Sequence, residues 1–313
     1  MKNKVHNFSA GPSILPNIVF EQASSAIKNF NNTGLSILEI SHRSKDFMDV
    51  LEEARSLALE ISDLDVNKYT CLFLQGGASM QFLMTAHNFL NKNAAYINTG
   101  SWSTKAIKEA KLYGNVTEIA SSSDKNFNYI PKDIIINDNY DYLHITSNNT
   151  IFGTQFHSFP SSDSPLIADM SSDIFSRKID FSKFDLIYAG AQKNLGPSGV
   201  TVVILSPWAQ ARSRERAKQG AGLPSMLDYG LMIDKKSLFN TPNTLGIFVL
   251  DQVLAWLQAK GGLEAMAEQN DAKAAKLYAA LDETDFWRPH AQDGSRSRMN
   301  VTWRGPSDDL DKA

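Results

Sequence analysis

Short apolar runs alternate with longer amphipathic windows along the first two thirds of the chain. The runs Tyr69–Leu74, Ala94–Asn98, Tyr142–Thr146, Leu166–Asp169, Asp185–Ala189 and Val200–Leu205 are four to six residues long and read as buried strands. Between or before them, Phe47–Ile61, Ser79–Leu90 and Ser103–Tyr113 carry apolar residues at helical spacing. Strands alternating with helices predict an α/β fold with a mostly parallel sheet flanked by helices. After Leu205 the pattern changes. Asn243–Gln258 and Leu263–Leu281 read as two long helices punctuated by Gly261-Gly262, followed by a strand at Met299–Trp303. This predicts a second, smaller unit, with residues 1–14 as an N-terminal arm, 15–258 as the large domain and 259–313 as an incomplete α+β domain.

Composition shifts at the same place. Twenty isoleucines precede residue 206 and two follow it, whereas alanines are fifteen on each side. Ala-rich helices in the second part explain this, as does a gene joined from segments of different origin.

The chain has 313 residues, 42% hydrophobic and 21% charged, which is the usage of a packed soluble protein. A net charge of −3 supplies no basic field for nucleic acid. No apolar run approaches the roughly 18 residues of a membrane span, and the N-terminus lacks a signal-peptide core. The expectation is a cytoplasmic protein without nucleic-acid or membrane partners. One cysteine, Cys71, rules out an internal disulfide and lies within an apolar run. The six histidines show no metal-ligand spacing, so no metal is expected.

Candidate chemistry gathers after the strands. In Tyr188-Ala-Gly-Ala-Gln-Lys-Asn-Leu-Gly-Pro-Ser-Gly-Val200, Lys193 follows an apolar strand and is flanked by small residues and turn formers. Ligands of open α/β sheets collect beyond the carboxyl ends of strands. A lysine partly desolvated there offers a free amine able to form a Schiff base. Asp169 ends the strand of Pro165-Leu-Ile-Ala-Asp-Met-Ser-Ser172 and suits a partner for a pyridine nitrogen, or else a cap for the following turn. Phe73-Leu-Gln-Gly-Gly-Ala-Ser-Met-Gln-Phe82 runs strand, small-residue turn, helix, which is the layout of an anion cradle. Trp102 follows a further strand and can stack on a flat ring or pack at a helix start. Thr150 lies in a polar loop and could hydrogen-bond a ring hydroxyl, though loop polarity alone does not single it out. His42 and Arg43 form a pair ahead of a helix in Glu39-Ile-Ser-His-Arg-Ser-Lys45, and Arg43 offers a planar fork for a carboxylate or phosphate, or else lies in a solvated turn.

Together these stretches resemble the phosphoserine aminotransferases, within the class-V, fold-type I pyridoxal-phosphate aminotransferase family. The opening Phe8-Ser-Ala-Gly-Pro12, Glu39-Ile-Ser-His-Arg43, Phe73-Leu-Gln-Gly-Gly-Ala-Ser79, Ala189-Gly-Ala-Gln-Lys-Asn-Leu-Gly-Pro-Ser-Gly199 and Phe239-Asn-Thr-Pro-Asn-Thr244 occur in family order. The resemblance implies pyridoxal 5'-phosphate held covalently by Lys193, with Asp169 at its ring nitrogen, Trp102 on the ring and Thr150 at the ring hydroxyl. It further implies Ala78, Ser79 and Gln192 at the cofactor phosphate. Asn240 and Thr241 would reach the phosphate in a neighbouring subunit, as His42 and Arg43 would reach its substrate, so a homodimer is expected. The implied reaction moves the amino group of L-glutamate to 3-phosphohydroxypyruvate, giving O-phospho-L-serine and 2-oxoglutarate for serine biosynthesis. Pyridoxine biosynthesis, through a phosphohydroxythreonine intermediate, enters by the same resemblance. Family members continue beyond this chain with Gly-His-Arg and Gly-Gly-x-Arg-Ala-Ser motifs whose arginine grips the substrate carboxylate. A C-terminally truncated member is therefore expected, and a catalytically impaired cofactor-binding dimer is the alternative.

Overall fold

A computed structural model describes residues 5–132, 134, 136, 139–218, 222–307 and 309–312. Met1–Lys4 of the expected arm and Ala313 lie outside the described residues. The elements in chain order are α1 (Asn17–Lys28), α2 (Lys45–Ile61), β1 (Thr70–Leu74), α3 (Gly77–Phe89), β2 (Asn93–Asn98), α4 (Ser101–Ala110), β3 (Asn115–Ser121) and β4 (Leu143–Thr146). A tight hairpin β5 (Asn148–Asn149) and β6 (Thr154–Gln155) follows. Then come β7 (Leu166–Asp169), β8 (Leu186–Gly190), β9 (Thr201–Leu205), α5 (Pro207–Lys218), α6 (Tyr229–Asp234), α7 (Thr244–Ala259), α8 (Gly262–Asp282), β10 (Arg288–Pro289) and β11 (Trp303–Arg304).

Seven strands form the central sheet in the order β1-β9-β8-β7-β4-β2-β3. Every pairing is parallel except the two made by β9, which runs antiparallel to β1 and β8. The carboxyl ends of β1, β2, β4, β7 and β8 therefore point to one edge, the α/β arrangement expected.

Alternate residues of each strand enter different cores, as the pleat requires. On β1, Cys71 and Phe73 pack with α2 and α7, whereas Leu72 and Leu74 pack with α3, α4, α5 and α6. Strands covered on both faces must be apolar throughout, which is why they read as continuous runs rather than alternating ones. Caps fix where the covering helices begin: the Ser44 side chain accepts from the Phe47 amide at α2, and Asn243 Oδ1 accepts from the Gly246 amide at 2.9 Å at α7.

The strand expected over Met299–Trp303 is shorter and displaced, to Trp303–Arg304, pairing antiparallel with Arg288–Pro289. Residues 297–302 make their hydrogen bonds to the β5–β6 hairpin instead, largely through side chains. Among the described residues, no helix is long and apolar enough to cross a membrane.

Candidate active site

Five chain crossings converge beyond the carboxyl edge of the sheet. Asp169 is the last residue of β7, in register with Thr146 of β4 and Tyr188 of β8, and it is 4% exposed. Ser171 donates to its Oδ1 twice, from the amide at 2.9 Å and from the hydroxyl at 2.6 Å. The Ser171 hydroxyl also accepts from the Gly190 amide at 3.1 Å, joining the ends of β7 and β8. Burial pushes the Asp169 carboxyl above the usual carboxylate range, opposed by Ser171 and by the charge of Lys193.

Lys193 lies three residues past the end of β8. Its Nζ donates to Thr150 Oγ1 at 2.7 Å and stands 4.9 Å from the centre of the Trp102 ring. Desolvation lowers its pKa from the usual ammonium value, against the attraction of Asp169 and then Asp173. Burial thus drives both members of the Asp169–Lys193 pair toward neutrality while their charges hold each other ionised. Burial therefore leaves more of the Lys193 amine unprotonated than an exposed lysine would have, the property a carbonyl-attacking lysine needs.

Other segments of the same chain fix this lysine from several sides. Ser13 donates its amide to the Gln192 carbonyl at 2.9 Å and its hydroxyl to the Lys193 carbonyl, so the N-terminal segment lies along the lysine loop. Thr150 sits in the turn between β5 and β6. Asn149 ties that turn to the loop before α4, whose first turn carries Trp102, its Nδ2 donating to both Thr99 Oγ1 and Thr154 Oγ1 at 3.1 Å. Buried Asp173 accepts from Ser147 Oγ and from Gln155 Nε2, the latter at 3.0 Å, so the hairpin is braced beneath as well.

The cradle after β1 is open for an anion. Gly76 caps α3 with φ of +90°, a left-handed conformation that glycine adopts freely, and Ala78 and Ser79 occupy the first turn. Their side of the helix presents amide groups without intrahelical partners and the positive end of the dipole.

A pyridoxal phosphate suits this donor set. The cradle could take a dianionic phosphate, the buried carboxylate of Asp169 a protonated ring nitrogen, and the Lys193 amine an aldehyde. The Trp102 indole borders the same space, with its Nε1 buried and without a partner.

The sequence-predicted residues thus fall into two groups. Lys193, Thr150, Trp102 and Asp169 meet in one chain, with Ala78, Ser79 and Gln192 on the adjoining loops. No described hydrogen bond or ion pair joins His42, Arg43, Asn240 or Thr241 to Lys193. Arg43, Asn240 and Thr241 are exposed, and the Thr241 carbonyl accepts from Gln75 Nε2 at 3.2 Å, beside the cradle. His42 Nε2 is buried without a partner. Sequence reasoning missed Ser171, Asp173, Asn149 and Ser13, polar residues in loops whose roles arise only when distant strands are paired.

The family model described as aminotransferase class-V matches residues 5–311. The chain belongs to this family. A curated relative of this aminotransferase, "Phosphoserine aminotransferase" of Flavobacterium johnsoniae, is 54% identical over 302 residues, covering 96% of this chain and 83% of that protein. The solved structure of a phosphoserine aminotransferase from Bacillus circulans subsp. alkalophilus is 46% identical with a TM-score of 0.92, covering 98% of this chain and 84% of that one. A PLP-bound phosphoserine aminotransferase from Trichomonas vaginalis is 32% identical with a TM-score of 0.90, covering 99% and 87%.

Proposed function

We propose that this chain is a pyridoxal-phosphate-dependent phosphoserine aminotransferase. It passes the amino group of L-glutamate to 3-phosphohydroxypyruvate and releases O-phospho-L-serine and 2-oxoglutarate, in cytoplasmic serine biosynthesis. The observation that carries this reading is the desolvated Lys193 amine held 2.7 Å from Thr150, with buried Asp169 closing the adjacent strand. The names of the curated and structural relatives support the choice of substrate.

In this reading Lys193 would hold the cofactor, Asp169 would keep a proton on its ring nitrogen, Trp102 would cover the ring and Thr150 would hold the ring hydroxyl. Ala78, Ser79 and Gln192 take the phosphate. When bound, the cofactor supplies an electron sink for the bond broken at the substrate α-carbon. The protein's own part is proton transfer and orientation: the free Lys193 Nζ would take the α-proton and then return it as a general acid. Ser171 keeps Asp169 aimed while its charge opposes that of the ring. The exposed Arg43, Asn240 and Thr241, with the half-buried His42, serve a second subunit, His42 and Arg43 toward its substrate, Asn240 and Thr241 toward its cofactor phosphate, in a homodimer with shared sites. We assign residues 15–258 to the cofactor domain and 259–313 to a smaller unit, with 1–14 as an arm.

The test is glutamate-dependent phosphoserine formation by the purified chain loaded with pyridoxal phosphate. Turnover that vanishes in Lys193→Ala is expected. Turnover by wild type with alanine and glyoxylate, but not with phosphohydroxypyruvate, would move the chain to a different member of the family.

A further inference from the structure

The hairpin that carries Thr150 is gripped on its outer side by residues 296–302. Arg296 bridges Thr154 in antiparallel fashion, and the Ser297 amide donates to the Gly153 carbonyl at 2.8 Å. Next along, the Arg298 amide donates to Gln155 Oε1 at 3.0 Å, and Thr302 Oγ1 donates to the Phe152 carbonyl at 3.0 Å. Gly153, at φ of +67°, leaves no room for a Cβ between the turn and Thr302. The strap runs along the hairpin as a third strand would, although its bonds are mostly made by side chains.

At its centre lies Asn148, two residues before Thr150. The amide group is buried and both its donors are used: Nδ2 donates to Ser172 Oγ and to Asn300 Oδ1, each at 2.8 Å, while Oδ1 accepts from Ser297 Oγ. The directions are fixed by the surroundings. Ser297 Oγ already accepts from the amides of Met299 at 3.0 Å and Asn300 at 2.9 Å, so its one proton goes to Asn148. Ser172 Oγ gives its proton to the Asn148 carbonyl at 2.9 Å, so it accepts from Nδ2. Ser172 is itself three residues past Asp169. One side chain therefore links the strap, the Thr150 turn and the loop after β7, in a network with no spare donor to absorb a change.

We propose that Asn148 and Ser297 are positioning residues for Lys193: through them the 296–302 strap sets where Thr150 stands, and Thr150 sets the hydrogen bond that Lys193 Nζ makes. Neither residue touches Lys193, and no other described contact of the strap reaches it. The inference rests on Lys193 being the reactive amine. It adds that the C-terminal segment acts on that amine at a distance, by holding the β5–β6 turn.

Thr150 Oγ1 accepts from the ammonium, so a displaced Thr150 favours the neutral amine. Competitive acetylation followed by peptide mass spectrometry reads the labelling rate of Lys193 against pH in the cofactor-free chain. In Ser297→Ala the Lys193 labelling rate at pH 7 is expected to rise by roughly three- to tenfold, the size of one lost hydrogen bond, with its midpoint moved to lower pH. Thr302→Val, which keeps the side-chain shape and removes the single bond to the turn, is expected to act in the same direction and more weakly. Both effects should disappear in a Thr150→Val background, because the strap then has nothing to position. Unchanged Lys193 labelling in folded Ser297→Ala and Thr302→Val overturns the proposal, as does an equal change with and without Thr150. Should Ser297→Ala not fold, Thr302→Val decides. Trapping with pyridoxal phosphate is a separate arm: a wild-type chain that takes up no cofactor at Lys193 sinks the assignment of the amine, while the labelling comparison still decides whether the strap acts.

Discussion

Lys193 Nζ and Thr150 Oγ1 meet at 2.7 Å across 43 residues of chain. The two arrive from different sources, one from the loop leaving β8 and the other from a hairpin inserted after β4. Their meeting follows from the sheet order, because β7 lies between β8 and β4 and brings Asp169 to the same edge. A lysine that would be an ordinary surface charge by composition alone is thereby partly desolvated, oriented and faced by a buried acid.

Asp169 is central to the electrostatics of the site. Asp169→Asn retains an acceptor for Ser171 and removes the charge. Turnover is expected to fall by about 10²–10³-fold, the size of one lost charged partner in a water-poor site. Burial already disfavours the carboxylate, so the melting temperature should hold or rise. Loss of activity and stability together would mark Asp169 as structural.

The cradle predicts a difference between two adjacent glycines. A Cβ on Gly76 would stand 2.5 Å from Met80 Cβ as well as at φ of +90°, whereas one on Gly77, at φ of +64°, meets nothing within 4 Å. Left-handed backbone costs a residue with a Cβ about 1–2 kcal/mol. Gly76→Ala should therefore lower the melting temperature by several degrees and Gly77→Ala by less, as calorimetry would show. Equal losses would contradict the placement of Met80.

Asp251 supplies a pH dependence away from the site. It is buried on α7, and desolvation, reinforced by the charge of Glu53 on α2, raises its pKa to about 7. Gln252 Nε2 donates to its Oδ2 at 2.9 Å, while Oδ1 has no partner. A carboxyl that holds its proton more tightly in the folded chain than in the unfolded one makes stability fall as pH rises from about 4 to about 7, then level off. The span corresponds to about 4 kcal/mol at most. In Asp251→Asn that slope should vanish, so the variant gains on wild type across this window in denaturant titrations. Parallel curves for the two proteins would refute the raised pKa.

Strands buried on both faces announce themselves as apolar runs, and those ending in Asp169 or just before Lys193 were legible within a residue or two. The edge strand β3 was not, since Asn115–Ser121 needs only partial burial and mixes Thr, Glu and Ser with its apolar residues. The Met299–Trp303 expectation failed for a related reason. Asn300 and Thr302 bond the hairpin through their side chains while Val301 packs on α8, so the ladder forms only at Trp303–Arg304. Lys193, Asp169, Thr150 and Trp102 could be read because each follows a strand. Ser171, Asp173, Asn148 and Ser297 could not, because a polar residue in a loop carries no local sign of the distant group it will bond.

The most direct measurement incubates the chain with pyridoxal phosphate, reduces the product with borohydride and maps the modified peptide by mass spectrometry. The adduct is predicted on Lys193, with none at that position after glutamate has first converted the bound cofactor to its amine form. Modification spread over exposed lysines such as Lys45 and Lys178, with Lys193 untouched, would contradict the account.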